Sequence, residues 1–172
     1  MKYAIIALSF LFLSFHIPKQ IKVKVTGYYT PIFEFCYFKT PPFIHKQELI
    51  KKGKSFIIYT SEIFVCEQTK MEGFAYLITD QETLLIEQIK GCLKQSKYTV
   101  PVDNRGKPLT PYKSIAVDNE IIQRTNVVYL NDTKLEPTDC GSRINGYHID
   151  RYMGTNKKQA DSTNYTATIR IL

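Results

Sequence analysis

The sequence contains no tryptophan, no internal repeat, no low-complexity tract and no basic cluster beyond the short Lys51-Lys52-Gly53-Lys54. Without a repeat period, a stacked array is excluded. Without a basic run or a nucleic-acid motif, the net charge of +7 does not single out DNA or RNA. An anionic cell-wall polymer or an anionic membrane surface accounts for that charge equally well, and a mildly basic solvated surface accounts for it best. The four cysteines (Cys36, Cys66, Cys92 and Cys140) stand at wide, irregular intervals that do not match a zinc site. They form either two disulfides, in one of three pairings, or free buried thiols. No metal-ligand spacing is present, so no metal and no cofactor is expected.

What the chain does contain suits a globular protein. Its 172 residues suffice for one ordinary domain, or for one domain carrying a large insertion. Twelve tyrosines and ten phenylalanines supply aromatic area for a core or a sugar-binding groove in place of tryptophan. At the N-terminus, Met1-Lys2 is followed by an apolar run from Tyr3 to Phe15 that ends at His16-Ile17-Pro18-Lys19. That is the length of a signal-peptide core and short of a membrane span. No small-residue cleavage site stands out, and no cysteine follows closely, which argues against a lipoprotein signal. Residues 1–18 therefore read as a signal peptide or an N-terminal anchor, the latter associating the chain with a membrane. Residues 19–172 read as a single exported domain with an insertion at about 40–110.

The pattern along the chain is mostly that of short strands. Ile21-Lys22-Val23-Lys24-Val25-Thr26 alternates cleanly and ends at Gly27-Tyr28-Tyr29-Thr30-Pro31. Thr40 to about Lys54 reads as a loop or linker, and Ser55–Cys66 and Gly73–Ile78 as β-rich. Thr79-Asp80-Gln81-Glu82 has the form of a capping box, and Leu85, Ile89, Cys92 and Leu93 fall on one stripe, which predicts the chain's one long helix over about 80–95. Further strands are predicted at Ser114–Val117, Val127–Leu130, Tyr147–Met153 and Tyr165–Ile171. Many short strands with regular turn signals and one helix predict a closed or nearly closed β-barrel.

The stretch Asp139-Cys140-Gly141-Ser142-Arg143-Ile144-Asn145-Gly146-Tyr147-His148-Ile149-Asp150 holds most of the candidate chemistry. After the Asn145-Gly146 turn, alternation sends Tyr147, Ile149 and Met153 to one side and His148, Asp150 and Tyr152 to the other. A carboxylate held beside aromatic rings is partly desolvated, which raises its pKa and makes Asp150 the first candidate for acid/base work. Cys140 has no convincing base beside it for nucleophilic chemistry.

Three segments together resemble one family. Val25-Thr26-Gly27-Tyr28-Tyr29-Thr30-Pro31 is similar to the opening of the membrane-bound lytic transglycosylase A family. Ile115-Ala116-Val117-Asp118 resembles the central segment of its C-terminal three-aspartate domain, and Asp139–Gly154 resembles that domain's closing signature. The resemblance implies a double-psi β-barrel like that of expansins, carrying one helix and an inserted middle region. It implies cleavage of the peptidoglycan glycan strand between N-acetylmuramic acid and N-acetylglucosamine, leaving a 1,6-anhydro ring. It further implies that Asp150 is catalytic, that Asp139 assists, and that Thr26, Tyr28 and Tyr29 line the glycan groove; Arg143 and His148 are read from their own chemistry as further substrate-binding residues. Asp118, Gly141 and Gly146 would be supporting residues. Two departures stand out: Asn119 replaces the usual Pro after Asp118, and Gly141-Ser142 with Arg143 replaces a glycine pair and a small residue. Arg143 would either bind a peptidoglycan carboxylate or hold down the pKa of Asp150. The departures favour a second reading, a non-catalytic, expansin-like module that binds cell-wall glycan. A third is an envelope protein whose Tyr-rich strands bind another protein.

Overall fold

In the computed structural model, the described residues are 18–37, 44–61, 64–79, 82–90, 92–141 and 143–172. The N-terminal apolar run lies outside them. Among the described residues, no helix is long and apolar enough to cross a membrane.

Two six-stranded barrels make up the fold, each closed on itself. The first begins with β1 (Lys19–Tyr28) and is completed by the C-terminal strands β8 (Ser114–Val117), β9 (Val128–Leu130), β10 (Thr133–Asp139), β11 (His148–Tyr152) and β12 (Asn164–Ile171). Around the wall the order is β1, β11, β8, β10, β9, β12. Two parallel pairings, β1 with β11 and β8 with β10, cross the otherwise antiparallel ladder. This is the expected double-psi barrel. Alternation along β1 places Val23 and Val25 inside, where they meet Ile115, Val117, Leu135, Ile149 and Ile169. Lys22, Lys24 and Thr26 are left on the outer face.

Residues between the halves of that barrel build the second one. It comprises β2 (Ile32–Cys36), β3 (His45–Lys51), β4 (Lys54–Thr60), β5 (Phe74–Ile78), β6 (Thr83–Ile89) and β7 (Cys92–Gln95). Its core is separate and centres on Leu49, Ile58, Leu77, Ile86 and Leu93. A short helix, α1 (Val65–Glu72), links β4 to β5, and another, α2 (Lys157–Ser162), precedes β12.

The helix predicted over residues 80–95 is instead the β6–β7 hairpin. Leu84, Leu85 and Ile86 are all buried, so the run is covered on both faces and carries no helical stripe in space. The apparent capping box serves a different turn. Thr79 N–H donates to the Glu82 carbonyl at 2.9 Å, and Glu82 N–H donates to Thr79 Oγ1 at 2.8 Å, which closes the β5–β6 hairpin. Likewise, the segment read as a loop before Lys54 contains β3, which pairs with β4 through all seven of its residues. Only Leu49 of β3 is fully buried, so the strand is held by its neighbours and has little hydrophobic signal of its own.

Gly27 fixes how α2 sits on the first barrel. A Cβ there would lie 3.0 Å from Ala160 Cα and 3.1 Å from the Ala160 carbonyl oxygen, both backbone atoms of α2. Only a residue without a side chain lets the two elements meet. Gly27→Ala is therefore expected to destabilise the chain by about 1–3 kcal/mol in chemical denaturation, and an unchanged midpoint would contradict this packing.

Candidate functional site

The register of β1 against β11 sets three pairs side by side: Lys24 with His148, Thr26 with Asp150, and Tyr28 with Tyr152. Because Val25 and Ile149 point into the core, all six lie on the barrel's outer face. The same row continues across the sheet, since Ala116 of β8 lies opposite Asp150 on one side and Asp139 of β10 on the other. Thr26, Asp150, Ala116 and Asp139 thus line up over four adjacent strands. Asp139 is two strand spacings from Asp150, about 10 Å.

This row forms the floor of a cleft of about 720 Å³. Tyr28, Asp139, Asp150, Gly141, Arg143 and Ile144 line it from the first barrel. The end of α1, including Glu67, Lys70, Met71 and Glu72, lines it from the second. Most of the predicted site residues therefore come together. Thr26 and His148 join them through hydrogen bonds, and Tyr29 through its backbone. Asp118 stands apart: its Oδ2 accepts from Gly146 N–H at 2.7 Å and its Oδ1 from Glu120 N–H at 3.0 Å. These bonds hold its carboxyl below the usual carboxylate range and tie β8 to the turn that feeds β11. Gly146 occupies a left-handed conformation, φ 65°, in that turn.

Asp150 is held by a chain of hydrogen bonds. Thr26 Oγ1 donates to Asp150 Oδ1 at 2.7 Å, and His148 Nε2 lies 2.8 Å from the same Oγ1. A hydroxyl has one proton, so when Thr26 gives it to Asp150, the imidazole must donate from Nε2. Asp150 Oδ1 is then an acceptor, and Oδ2, with no partner among the described residues, is the oxygen free to carry a proton into the cleft. Burial pushes the Asp150 carboxyl above the usual range, opposed by the Thr26 hydrogen bond and by the charges of His148 and Lys24. His148 is shifted the other way: burial lowers it below 6.5, although the Asp150 charge opposes that shift.

Tyr28 is packed on Tyr152 with ring centroids 5.2 Å apart, and Tyr152 Oη lies 2.9 Å from Thr30 Oγ1. Tyr28 Oη, by contrast, is buried without a hydrogen-bond partner among the described residues. Burial, then the charges of Asp139 and Asp150, raise this phenol and keep it a neutral donor. An unpaired buried hydroxyl at the edge of a cleft is costly unless a ligand satisfies it.

Sequence reasoning missed the α1 wall. Glu72 ends that helix, before Gly73 at φ 85°. Its Oε2 accepts from Tyr29 N–H at 3.4 Å, which joins the wall to the end of β1. Burial lifts the Glu72 carboxyl to about 7, and the Asp150 charge adds to the shift. The helix is too short and too polar for its cleft-facing residues to stand out in the pattern.

No family model and no curated protein matches the sequence. Solved structures do match. The fold is similar to that of E. coli MltA with bound chitohexaose, at a TM-score of 0.68 and 13% identity over 90% of this chain and 74% of that one. It is also similar to LtgG, a lytic transglycosylase of Burkholderia pseudomallei, at a TM-score of 0.64 and 15% identity over 90% and 75%. MltA from Neisseria gonorrhoeae matches at 0.65 and 12% over 88% and 73%. At such identities the likeness establishes the shared two-barrel fold.

The raised Glu72 carboxyl has a consequence for stability. The native state favours the neutral acid, so this contribution is complete below the ordinary value of 4.5 and is lost as pH rises towards about 7. Glu72→Gln cannot ionise. Its thermal stability should match that of the parent at pH 4 and exceed it by on the order of 1–2 kcal/mol at pH 8. Parallel pH profiles for the two proteins would contradict the buried-acid assignment.

Proposed function

We propose that the chain is an exported peptidoglycan lytic transglycosylase of the cell envelope. It would cleave the bond between N-acetylmuramic acid and N-acetylglucosamine and leave a 1,6-anhydro ring. The observation that carries this reading is the state of Asp150. Its carboxyl is partly buried, lines the cleft, has one oxygen anchored by Thr26 and the other without a partner among the described residues, and sits in a fold shared with MltA. Asp150 is also the catalytic position implied by the sequence resemblance.

The chemistry follows from that geometry. Protonated Asp150 donates from Oδ2 to the glycosidic oxygen as the bond to C1 breaks. The carboxylate so formed accepts the proton of the C6 hydroxyl, whose oxygen closes on C1 of the same sugar. The proton count balances over the cycle, and no water is consumed. Thr26 and His148 hold Oδ1 as an acceptor, so the transferable proton stays on the cleft side. Tyr28 offers its unpaired hydroxyl to a sugar oxygen. Asp139, across Ala116, assists by orienting a glycan hydroxyl rather than by touching Asp150. Arg143, exposed at the cleft, takes a peptidoglycan carboxylate.

Peptidoglycan sacculi incubated with the protein should release 1,6-anhydro muropeptides, identified by mass spectrometry. Asp150→Asn should reduce their yield by at least about a thousandfold, because the substitution removes the carboxyl that protonates the leaving oxygen. Binding of sacculi by both proteins without products would support the glycan-binding module instead. Neither binding nor products would mean that the fold serves another purpose.

A further inference from the structure

Asp150 on the cleft floor and Glu72 on the α1 wall are carboxyls built alike, as is Asp139, whose Oδ1 accepts from Cys140 N–H at 2.8 Å. Asp150, on β11, has Oδ1 bonded to the Thr26 hydroxyl. Glu72, at the end of α1, has Oε2 bonded to the Tyr29 backbone N–H. Each leaves its second oxygen without a hydrogen-bond partner among the described residues, and both side chains line the same cleft. We propose that Glu72 is a substrate-binding acid, whose Oε1–H donates a hydrogen bond to an acceptor oxygen of the bound glycan opposite Asp150. The acetamido carbonyl is the strongest neutral acceptor such a chain offers. This inference rests on the glycan reading given above.

Burial favours the neutral acid at Glu72, opposed chiefly by the Tyr29 N–H bond, which stabilises the carboxylate. From the first barrel it faces Asp150, whose charge adds to the shift whenever that carboxyl is ionised, and from α2 it faces Asp161 together with Lys157. The Lys157 ammonium, which would hold an ionised Glu72, is already bonded to Asp161 at 2.5 Å and lies 5.7 Å from the centre of the Tyr29 ring. On its own helix, Glu67 and Lys70 also line the cleft and offset one another in charge. Burial dominates, and the proton stays on up to about pH 7. Two titratable groups in different settings on one cleft divide the work: Asp150 transfers a proton, and Glu72 keeps its proton while lending it to a hydrogen bond. Above neutrality the ionised Glu72 would present an acceptor to an acceptor, and affinity would fall.

The test is binding of chitohexaose to the full chain from pH 5.5 to 8.5, alongside Glu72→Gln and Glu72→Ala, with folding of each checked by circular dichroism. The parent should lose about tenfold in affinity through a step near pH 7, the equivalent of one hydrogen bond. Glu72→Gln retains a donor that cannot ionise, so it should bind like the parent at pH 5.5 and show no step near 7. Glu72→Ala should bind about tenfold more weakly at pH 5.5, also without the step. Asp150 and His148 remain in both variants, so loss of the step assigns it to Glu72. Parent binding without a step, or the same step in Glu72→Gln, would overturn the inference and leave the glycan reading intact. An absence of binding by all three proteins at every pH would overturn both.

Discussion

The parallel ladder between β1 and β11 is the constraint on which the site depends. It joins the first strand of the chain to one more than a hundred residues later and sets Thr26 beside Asp150. The register is specified by the core. Val23, Val25 and Ile149 must all face inward, and a slip of one residue would bury Lys24 and Thr26 and expose the valines. The hydrophobic effect thereby places a hydroxyl next to a carboxyl on the outer face. Nothing in the site needs a separate mechanism of assembly on that side of the cleft.

The second barrel turns an exposed row of polar residues into a site. Without α1 over it, the Thr26–Asp150–Ala116–Asp139 row would face bulk water, and Asp150 would behave as an ordinary strand carboxylate. Covering it partly desolvates Asp150 and Tyr28 and adds Glu72 from the far wall. Ala116 also contributes through what it does not fill. A larger side chain between Asp150 and Asp139 would occupy the floor of the cleft. The Tyr29 N–H bond to Glu72 and the Tyr76 N–H bond to the Pro31 carbonyl fasten the walls together where the chain passes between barrels.

Much of the first barrel was legible in the sequence, because strands such as β1 and β12 have one dry face and one wet face. Ile21–Thr26 and Tyr165–Ile171 alternate, and both are strands, the first extended to Lys19–Tyr28 and the second close to the expected bounds. The Asp139–Asp150 stretch was legible for a different reason, since its turn residues and aspartates stand at spacings that resemble a known motif. The second barrel was largely illegible. Leu84-Leu85-Ile86 is buried on both faces, and β3 buries only Leu49, so neither run has the period that marks a strand. Glu72 could not have been found in this way. Its role depends on which barrel it faces, and a glutamate at the end of a polar helix carries no local sign of that.

The account rests most directly on the protonation of Asp150 and on Thr26 as its partner. The Asp150 carboxyl should be followed by carbon-13 NMR across a pH titration, in the parent and in Thr26→Val. The parent carboxyl should titrate above its ordinary value of 3.8. The variant, which loses a hydrogen bond to the charged form, should titrate higher still. An Asp150 that titrates at or below the ordinary value, or one indifferent to the loss of the Thr26 hydroxyl, would contradict the account.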